Sequence, residues 1–576
     1  MAMDTQMSKK THTLPKEVPS IRQMLADSAA LWPDKDVYVY KNGKDEIHYT
    51  YTELNNDCEY FGTALNALGL KGAHVAFIGE TSAKNTVAYL GTVASGGVIV
   101  PLDKELSHDQ IVNFLNRAEC AVVAYSPSFK GVITENADKL PGIKYYIPQS
   151  GEDTVDESLA HAPRVIGWSD FLALGKEAKE NGDDSYATHT PDLEKMCAIL
   201  FTSGTTGTSK GVMLCERNLC SATYAACRTT PYDSSTRLVS VLPQHHTYEM
   251  TCSHIGALNI GASEFINDSL KYVMRNFANF KPTALVLVPL FIETIYKRIN
   301  DEIRKKGMEK KVETGKKLAK AALKVGIDIR PKLFSQITSA LGGDVKSIIC
   351  GGAPVSPRIL EDFHTFGITV YEGYGITECS PLVACNPPDR KPRFGSVGLP
   401  VYGVSVKIDK AHEEDETGEI LVKGDNVMLG YYKDEEATKA VFTEDGWFRT
   451  GDIGYIDADG YIYITGRKKN VIILSNGKNV FPEELEEHLS HCELIKESVV
   501  FGRADESGEI AITALVYPDY DQLEGKSDDE IYQTVLNAVN DVNRELPSFK
   551  HMSAVEVRKE EFEKTSSKKI KRFLYK

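Results

Sequence analysis

The chain has 576 residues, 42% hydrophobic and 26% charged, with 66 Lys and Arg against 81 Asp and Glu for a formal net charge of −15. That length exceeds what one core supports, so several subdomains are expected in an otherwise ordinary globular composition. The acidic balance argues against nucleic acid as the main partner.

Residues 1–19 (from MAMDTQMSKK) read as a flexible N-terminus with no apolar signal core. No later stretch is long enough to span a bilayer, so a cytoplasmic protein is expected. Val75 to Tyr125 alternates apolar strands (VAFIG, GVIVPL, AVVAYS) with helices near Asn85–Ala94 and Asp109–Arg117. This is the pattern of a largely parallel α/β sheet. Ile199 to Leu214, ILFTSGTTGTSKGVML, places an apolar strand on each side of a loop in which Thr202 to Thr208 is all Ser, Thr or Gly. The eleven cysteines show no CxxC pair and no metal-ligand spacing, and Cys215, Cys220 and Cys227 read as plain thiols of a reducing compartment.

The α/β pattern resumes with a strand at Ala284–Val288, a helix near Phe291–Asn300, a strand at Ser347–Cys350 and a helix at Pro357–Phe366. Between them Arg304 to Lys324 is a Lys-rich helical stretch. It reads first as a solvated helix face; the alternative is a patch that meets anionic lipid headgroups, peripheral to a membrane. From Gly403 to Gly466, VSVKI, GEILVKG, GWFRTGDIGYI and GYIYITG are short strands with Gly turns, a β-rich subdomain. Arg467-Lys468-Lys469-Asn470 is a polar break, and 471–576 reads as an α+β unit. The expected architecture is α/β: an N-terminal domain of several subdomains over 20–466, a hinge at 467–470 and a smaller mobile α+β C-terminal domain.

Four motifs carry chemistry. The Ser/Thr/Gly loop offers hydroxyls and free backbone N–H groups to phosphate oxygens, and Lys210 adds a positive charge. Ser209 stands where a Walker A loop needs Gly, so a nucleoside triphosphate is expected on a loop of another class. Gly351-Gly352-Ala353-Pro354 and YEGYGITE (Tyr371–Glu378) both follow apolar strands, where α/β sheets bind ligands. Small residues at Gly351 to Ala353 suit a flat base and Tyr374 can stack on it. Thr377 suits a phosphate oxygen and Glu378 suits Mg²⁺. In WFRTGD, Asp452 is a candidate acceptor for two ribose hydroxyls, with Arg467 fifteen residues on. The tail FEKTSSKKIKR (Phe562–Arg572) reads as a solvated basic end or as a lysine delivered into the nucleotide site.

TSGTTGTSKG, LPQHHTYE, GGAP, YGITE, RTGD, GRKKN…PEELE and the terminal KKIKR, in this order, resemble the adenylate-forming (AMP-binding) superfamily, from about Ser20 to Arg572. GGVIVPLDKEL, the long insert before GGAP and GRKKNVIILSNGKNVFPEELE are similar to bacterial long-chain fatty-acid–CoA ligases. The resemblance implies a two-step reaction: a carboxylate attacks the α-phosphorus of ATP, then the thiol of CoA displaces AMP. It implies that Thr202, Ser203, Gly204, Thr205, Thr206, Gly207 and Lys210 hold phosphates and Glu378 holds Mg²⁺. It places Gly351 to Pro354 and Glu372, Gly373, Tyr374 and Gly375 around the nucleotide, and Asp452 and Arg467 on ribose. Lys569 would bridge carboxylate and α-phosphate beside Thr377, His246 would gate the acyl pocket, Lys469 would be the pivot, and Gly477 would then face CoA. Glu249 is expected as a structural or Mg²⁺-proximal partner. The tail departs from the family's P-K-T-x-x-G-K, with Glu563 for Pro and Lys568 for the last Gly. That leaves Lys568 as the competing register, although Lys569-Ile570-Lys571-Arg572 favours Lys569.

The expected substrate is a medium- or long-chain fatty acid. The runners-up are transfer to a carrier-protein phosphopantetheine and an amino-acid adenylation domain, the latter disfavoured because Gln244 to Met250 offers no Asp for an α-amino group. A non-enzymatic binding protein would be expected to lose Lys569, Glu378 or Asp452. Chain length and oligomeric state are not legible.

Overall fold

The structure is a computed structural model that describes residues 17–149, 164–202, 209–474, 478–504, 510–565 and 569–575. Runs such as VIVPL at Val98–Leu102, buried at every position, are what a strand covered on both faces requires. They build an eight-stranded sheet in the order Gly430–Tyr431, Lys210–Cys215, Met196–Thr202, Val98–Leu102, His74–Ile78, Val122–Tyr125, Tyr145–Pro148, Arg164–Val165. The six strands from Met196–Thr202 onward are parallel, and Lys210–Cys215 runs antiparallel to both of its neighbours. The helices Ala83–Ala94 and His108–Arg117 stand where the sequence puts them; Ser82 caps the first, and Ser107 with Gln110 forms a capping box on the second.

A second sheet has Ala284–Leu287, Ser347–Gly351 and Thr369–Gly375 parallel, then Leu382–Cys385 and Leu399–Pro400 antiparallel. A third joins Arg237–Ser240, Ser263–Ile266 and Asp36–Asn42 in parallel, with Asp45–Thr50 antiparallel at its edge. The β-rich stretch is a four-stranded antiparallel sheet of Val404–Asp409, Gly418–Gly424, Phe448–Ile456 and Ile462–Arg467. Beyond it Lys468–Asn470 is a single tight turn. The C-terminal unit pairs Ile495–Ala504 with Ile510–Pro518 antiparallel and the latter with Ala554–Val557 parallel, covered by Pro482–Ser490 and Asp528–Glu545. The chain is thus a mixed α/β protein with a large N-terminal and a smaller C-terminal domain. Val18 is already buried in the N-terminal core.

Two elements differ from the sequence reading. The helix near Phe291–Asn300 runs over Pro289–Lys305, because Pro is favoured at a first helical position. The Lys-rich stretch is two helices: Gly307 takes φ +60°, the left-handed conformation that ends a helix, and a new helix covers Glu309–Lys324. All eleven cysteines are free, nine of them buried. Among the described residues no helix is long and apolar enough to cross a membrane.

Gly375 closes the strand that leads to Thr377 and Glu378. A Cβ there would lie 2.2 Å from the Pro381 carbonyl oxygen, while Ile376 N–H donates to that same oxygen at 2.8 Å. Gly375→Ala is expected to cost about 1–3 kcal/mol of overpacking and to lower the thermal unfolding midpoint. An unchanged midpoint would show that the turn relaxes freely.

Candidate active site

The C-terminal ends of the parallel strands open into one cleft of about 2300 Å³ between the two domains. Every candidate residue among the described ones lines it: Thr202, Lys210, His246, Gly351 to Pro354, Glu372 to Gly375, Thr377, Glu378, Asp452, Arg467, Lys469 and Lys569. Ser203, Gly204, Thr205, Thr206, Gly207 and Gly477 lie outside the described residues, as does Lys568.

Asp452 sits mid-strand, directly opposite Arg467 on the neighbouring strand. Arg467 Nε lies 2.7 Å from Asp452 Oδ1, and the Tyr374 hydroxyl donates to Oδ2 at 2.5 Å. Burial pushes this carboxyl above its ordinary range, while Arg467, Tyr374 and Lys569 pull it back. Tyr374 is itself buried, so it contributes its hydroxyl to Asp452 from inside the wall.

Lys569 comes from the other domain. Its backbone is tied to Thr565: Thr565 N–H donates to the Lys569 carbonyl at 2.8 Å, and Lys569 N–H donates to Thr565 Oγ1 at 3.2 Å. The other described cations of the tail are held by carboxylates of their own domain, Lys564 by Glu497, Lys571 by Glu563 and Arg572 by Glu486. Lys569 makes no ion pair among the described residues, and its Cε lies 3.9 Å from where a Gly352 Cβ would stand. The residue is exposed within the cleft yet walled by protein. That enclosure and the Arg467 charge pull its ammonium below the usual lysine range, with Asp452 opposing.

On the opposite wall Thr202 and Lys210 are cross-strand partners at the two ends of the Ser/Thr/Gly loop. Lys210 Nζ lies 4.6 Å from the centre of the Tyr431 ring, and the Tyr431 hydroxyl donates to Glu378 Oε1 at 3.0 Å. Glu378 makes no ion pair among the described residues, leaving lone pairs on both oxygens for a cation that keeps its waters and takes its other ligands from phosphate. Glu372 also braces the wall, because its buried carboxylate accepts from Gly395 N–H at 3.1 Å.

His246 packs against His245 with ring centres 4.2 Å apart and the rings tilted by 39°. Burial and the neighbouring His245 push its imidazole down to about 3, so it is neutral near pH 7. Behind it the Tyr248 hydroxyl donates to the Ile349 and Leu287 carbonyls at 3.2 and 3.3 Å, tying this segment under Gly351. Sequence reasoning missed Tyr431, which carries no motif signal. It also missed Asp103, 3.4 Å from His245 Nε2; its place just past the strand Val98–Leu102 is the signal that would have found it.

Residues 25–432 match the family model described as AMP-binding enzyme, and residues 469–575 match AMP-binding enzyme C-terminal domain. The chain belongs to the AMP-binding enzyme family. It is 30% identical over 513 residues to long-chain-fatty-acid–CoA ligase FadD15 of Mycobacterium bovis, covering 85% of this chain and 81% of that one. It is 28% identical over 555 residues to long-chain-fatty-acid–[acyl-carrier-protein] ligase AEE15, chloroplastic, of Arabidopsis thaliana, covering 85% and 75%. The fold superposes on ATP-bound MatB from Rhodopseudomonas palustris with a TM-score of 0.74 at 25% identity, over 96% of this chain and 98% of that one. As a member of this family the chain is an AMP-forming acid–thiol ligase, and the family implies ATP and CoA as its co-substrates.

Of the two roles expected for Glu249 in this AMP-binding enzyme, the structure fits the structural one. Its carboxylate is fully buried and accepts from Ser240 Oγ at 2.5 Å, clustered with the equally buried His254 and Glu264. His254 Nδ1 lies 2.7 Å from Glu264 Oε2, and Ser253 Oγ donates to Glu264 Oε1 at 2.9 Å. Burial pushes Glu249 up to about 8, against the pull of His254. A carboxyl raised this way binds a proton more tightly folded than unfolded. Its stabilisation is therefore full below the unfolded value and is lost as pH rises towards 8. Glu249→Gln keeps the shape and cannot ionise, so the variant's unfolding midpoint should fall less between pH 6 and pH 9 than the parent's. Parallel profiles would place the titration elsewhere.

Proposed function

We propose that the enzyme activates a medium- or long-chain fatty acid as acyl-AMP and then passes the acyl group to CoA, releasing pyrophosphate and AMP. The observation that carries this reading is Lys569, brought from the C-terminal domain into the cleft beside Asp452, Arg467 and His246. Attack on the α-phosphorus builds negative charge on phosphoryl oxygens, and fixed cations and donors answer that better than an acid or base does. Lys569 would bridge the carboxylate and the α-phosphate, with Thr377 beside it. Thr202, Lys210 and the loop between them would hold the outer phosphates, and Asp452 and Arg467 the ribose. Gly351 to Pro354 and Glu372 to Gly375 would border the base. Mg²⁺ bound at Glu378 would supply charge neutralisation to the phosphates.

The thiol must approach where Lys569 stands, so the lysine must leave for the second step. Only a tight turn joins the domains, and Lys469 lies in it. The ion pairs that bridge them among the described residues, Lys297 to Asp519 at 3.2 Å and Arg304 to Glu493 at 3.0 Å, have exposed basic partners. Each such pair is worth about 0–1 kcal/mol, little enough to let the C-terminal domain turn about 467–470. The acyl chain would lie along Val286, Val288, Leu290 and Phe291 of the cleft wall, past the neutral His246. A second reading, transfer to a carrier protein, is favoured by the Arabidopsis relative, whose name gives an acyl-carrier protein as acceptor.

Lys569→Ala is expected to slow acyl-adenylate formation about a hundred- to thousandfold while sparing thioester formation from preformed acyl-AMP, since a transition-state contact of this kind is worth roughly 3–4 kcal/mol. Pyrophosphate release and acyl transfer, measured separately, check this; equal losses in both half-reactions refute the role. Across saturated acids from acetate upward, kcat/KM should rise about three- to fourfold per carbon until the pocket is full, as about 0.8 kcal/mol per buried CH₂ dictates. Running the series with CoA and with a phosphopantetheine-bearing carrier protein separates the two readings. A flat profile, or a preference for an aromatic or amino acid, refutes the fatty-acid substrate.

A further inference from the structure

The Lys-rich helix Glu309–Lys324 takes no part in the chemistry, since no residue from 294 to 348 lines the cleft. Its inner face is fixed. Gly315 and Ala319 are buried, and a Cβ on Gly315 would touch Leu333 at 3.4 Å and Phe334 at 3.5 Å. Lys316 and Lys320 pair with Asp362 and Glu361 on the neighbouring helix at 2.9 and 2.8 Å.

The outer face is different. Lys310, Lys317 and Lys324 recur every seven residues, which on an α-helix is one stripe. Lys311, Leu318 and Val325 form the adjacent stripe at the same spacing. These four lysines, and Lys332 just beyond, are exposed and make no ion pair among the described residues. Leu318, Val325 and Ile327 are 57%, 73% and 58% exposed; no other described large hydrophobic is as exposed as Val325. Lysines without an ion pair gathered around protruding aliphatic side chains form a cationic amphipathic face on a chain of net charge −15.

We propose that this face docks the enzyme on an anionic lipid bilayer, the lysines meeting headgroup phosphates and Leu318, Val325 and Ile327 entering the interface. Charge complementarity selects the occupant. The rest of the surface is acidic and is repelled by an anionic membrane, so this patch also sets the orientation. An acidic carrier protein would meet the lysines, but it leaves the protruding aliphatic side chains without a use. The proposal stands independently of the acyl substrate.

The test is co-sedimentation of the full chain with vesicles of phosphatidylcholine alone and with added phosphatidylglycerol. Binding is expected to the anionic vesicles and to fall with salt. Each lysine lost near such a surface weakens partitioning about fivefold, so K310Q/K317Q/K324Q together should weaken it about a hundredfold while adenylate formation with a soluble acid stays unchanged. L318Q/V325Q should remove the binding that persists at high salt. Equal binding to neutral vesicles, or undiminished binding by the triple variant, overturns the proposal. So does capture of an acidic carrier protein through these lysines without vesicle binding.

Discussion

The pairing of Asp452 with Arg467 and Tyr374 is the contact on which the site depends. It joins two strands of the antiparallel sheet to the end of a parallel strand, and it is the charge that Lys569 meets on arriving from the other domain. A buried carboxylate persists only where donors compensate its lost hydration. Asp452 has one donor from its own sheet and one from its neighbour, so this side chain ties the two sheets together beside the backbone bonds of Val397 and Gly398 with Ile462. Remove the charge and Arg467 loses the carboxylate directly paired with it, leaving the more distant Glu378 and Glu483.

The opposite wall is arranged around a different need. Lys210, Tyr431 and Glu378 form a chain from the end of the Ser/Thr/Gly loop to a carboxylate left with open lone pairs. Positive charge, a hydroxyl and negative charge stand within a few ångströms without forming an ion pair, which keeps both charges available to a polyanion and its counter-ion. The buried Glu249, His254 and Glu264 cluster does the reverse. It pairs His254 with Glu264 in the interior and anchors the segment that presents His246. The hydrogen-bonded interior cluster and the open cleft wall lie within one stretch of chain.

Between the domains the forces are small. The C-terminal unit has its own core, and the described ion pairs to the larger domain are solvent-reached. Lys569 is held by Thr565, and Lys564 and Arg572 on either side of it pair with carboxylates of their own domain. On the proposed two-step reaction, the lysine would move together with that unit. A domain that must present one face and then another needs this combination of firm internal anchoring and weak external contact.

The α/β alternation, the antiparallel β-rich stretch and the C-terminal α+β unit were legible in the sequence because they rest on local patterns: apolar runs for strands buried on both faces, alternation with Gly turns for a half-covered sheet, caps at helix starts. Many residues of the cleft were legible because they stand at strand ends or beside Gly turns, where backbone ends converge; Asp452, mid-strand, and Lys569, in the tail, were legible through their motifs. The break at Gly307 was hidden, because a Lys-rich helical pattern continues across it and only the backbone angle there separates two helices. Tyr431 was hidden because its hydroxyl matters only through Glu378, 53 positions earlier in the chain. Whether Glu249 served the cleft or the interior was undecidable from spacing, since burial by Ser240, His254 and Glu264 comes from elements that meet only in the folded chain. The elements, the family and the residues that carry charge are thus written locally along the chain. Which of those charges are neutralised by neighbours and which remain free to act emerges only on folding, because a charge's availability is set by the partners that packing brings to it.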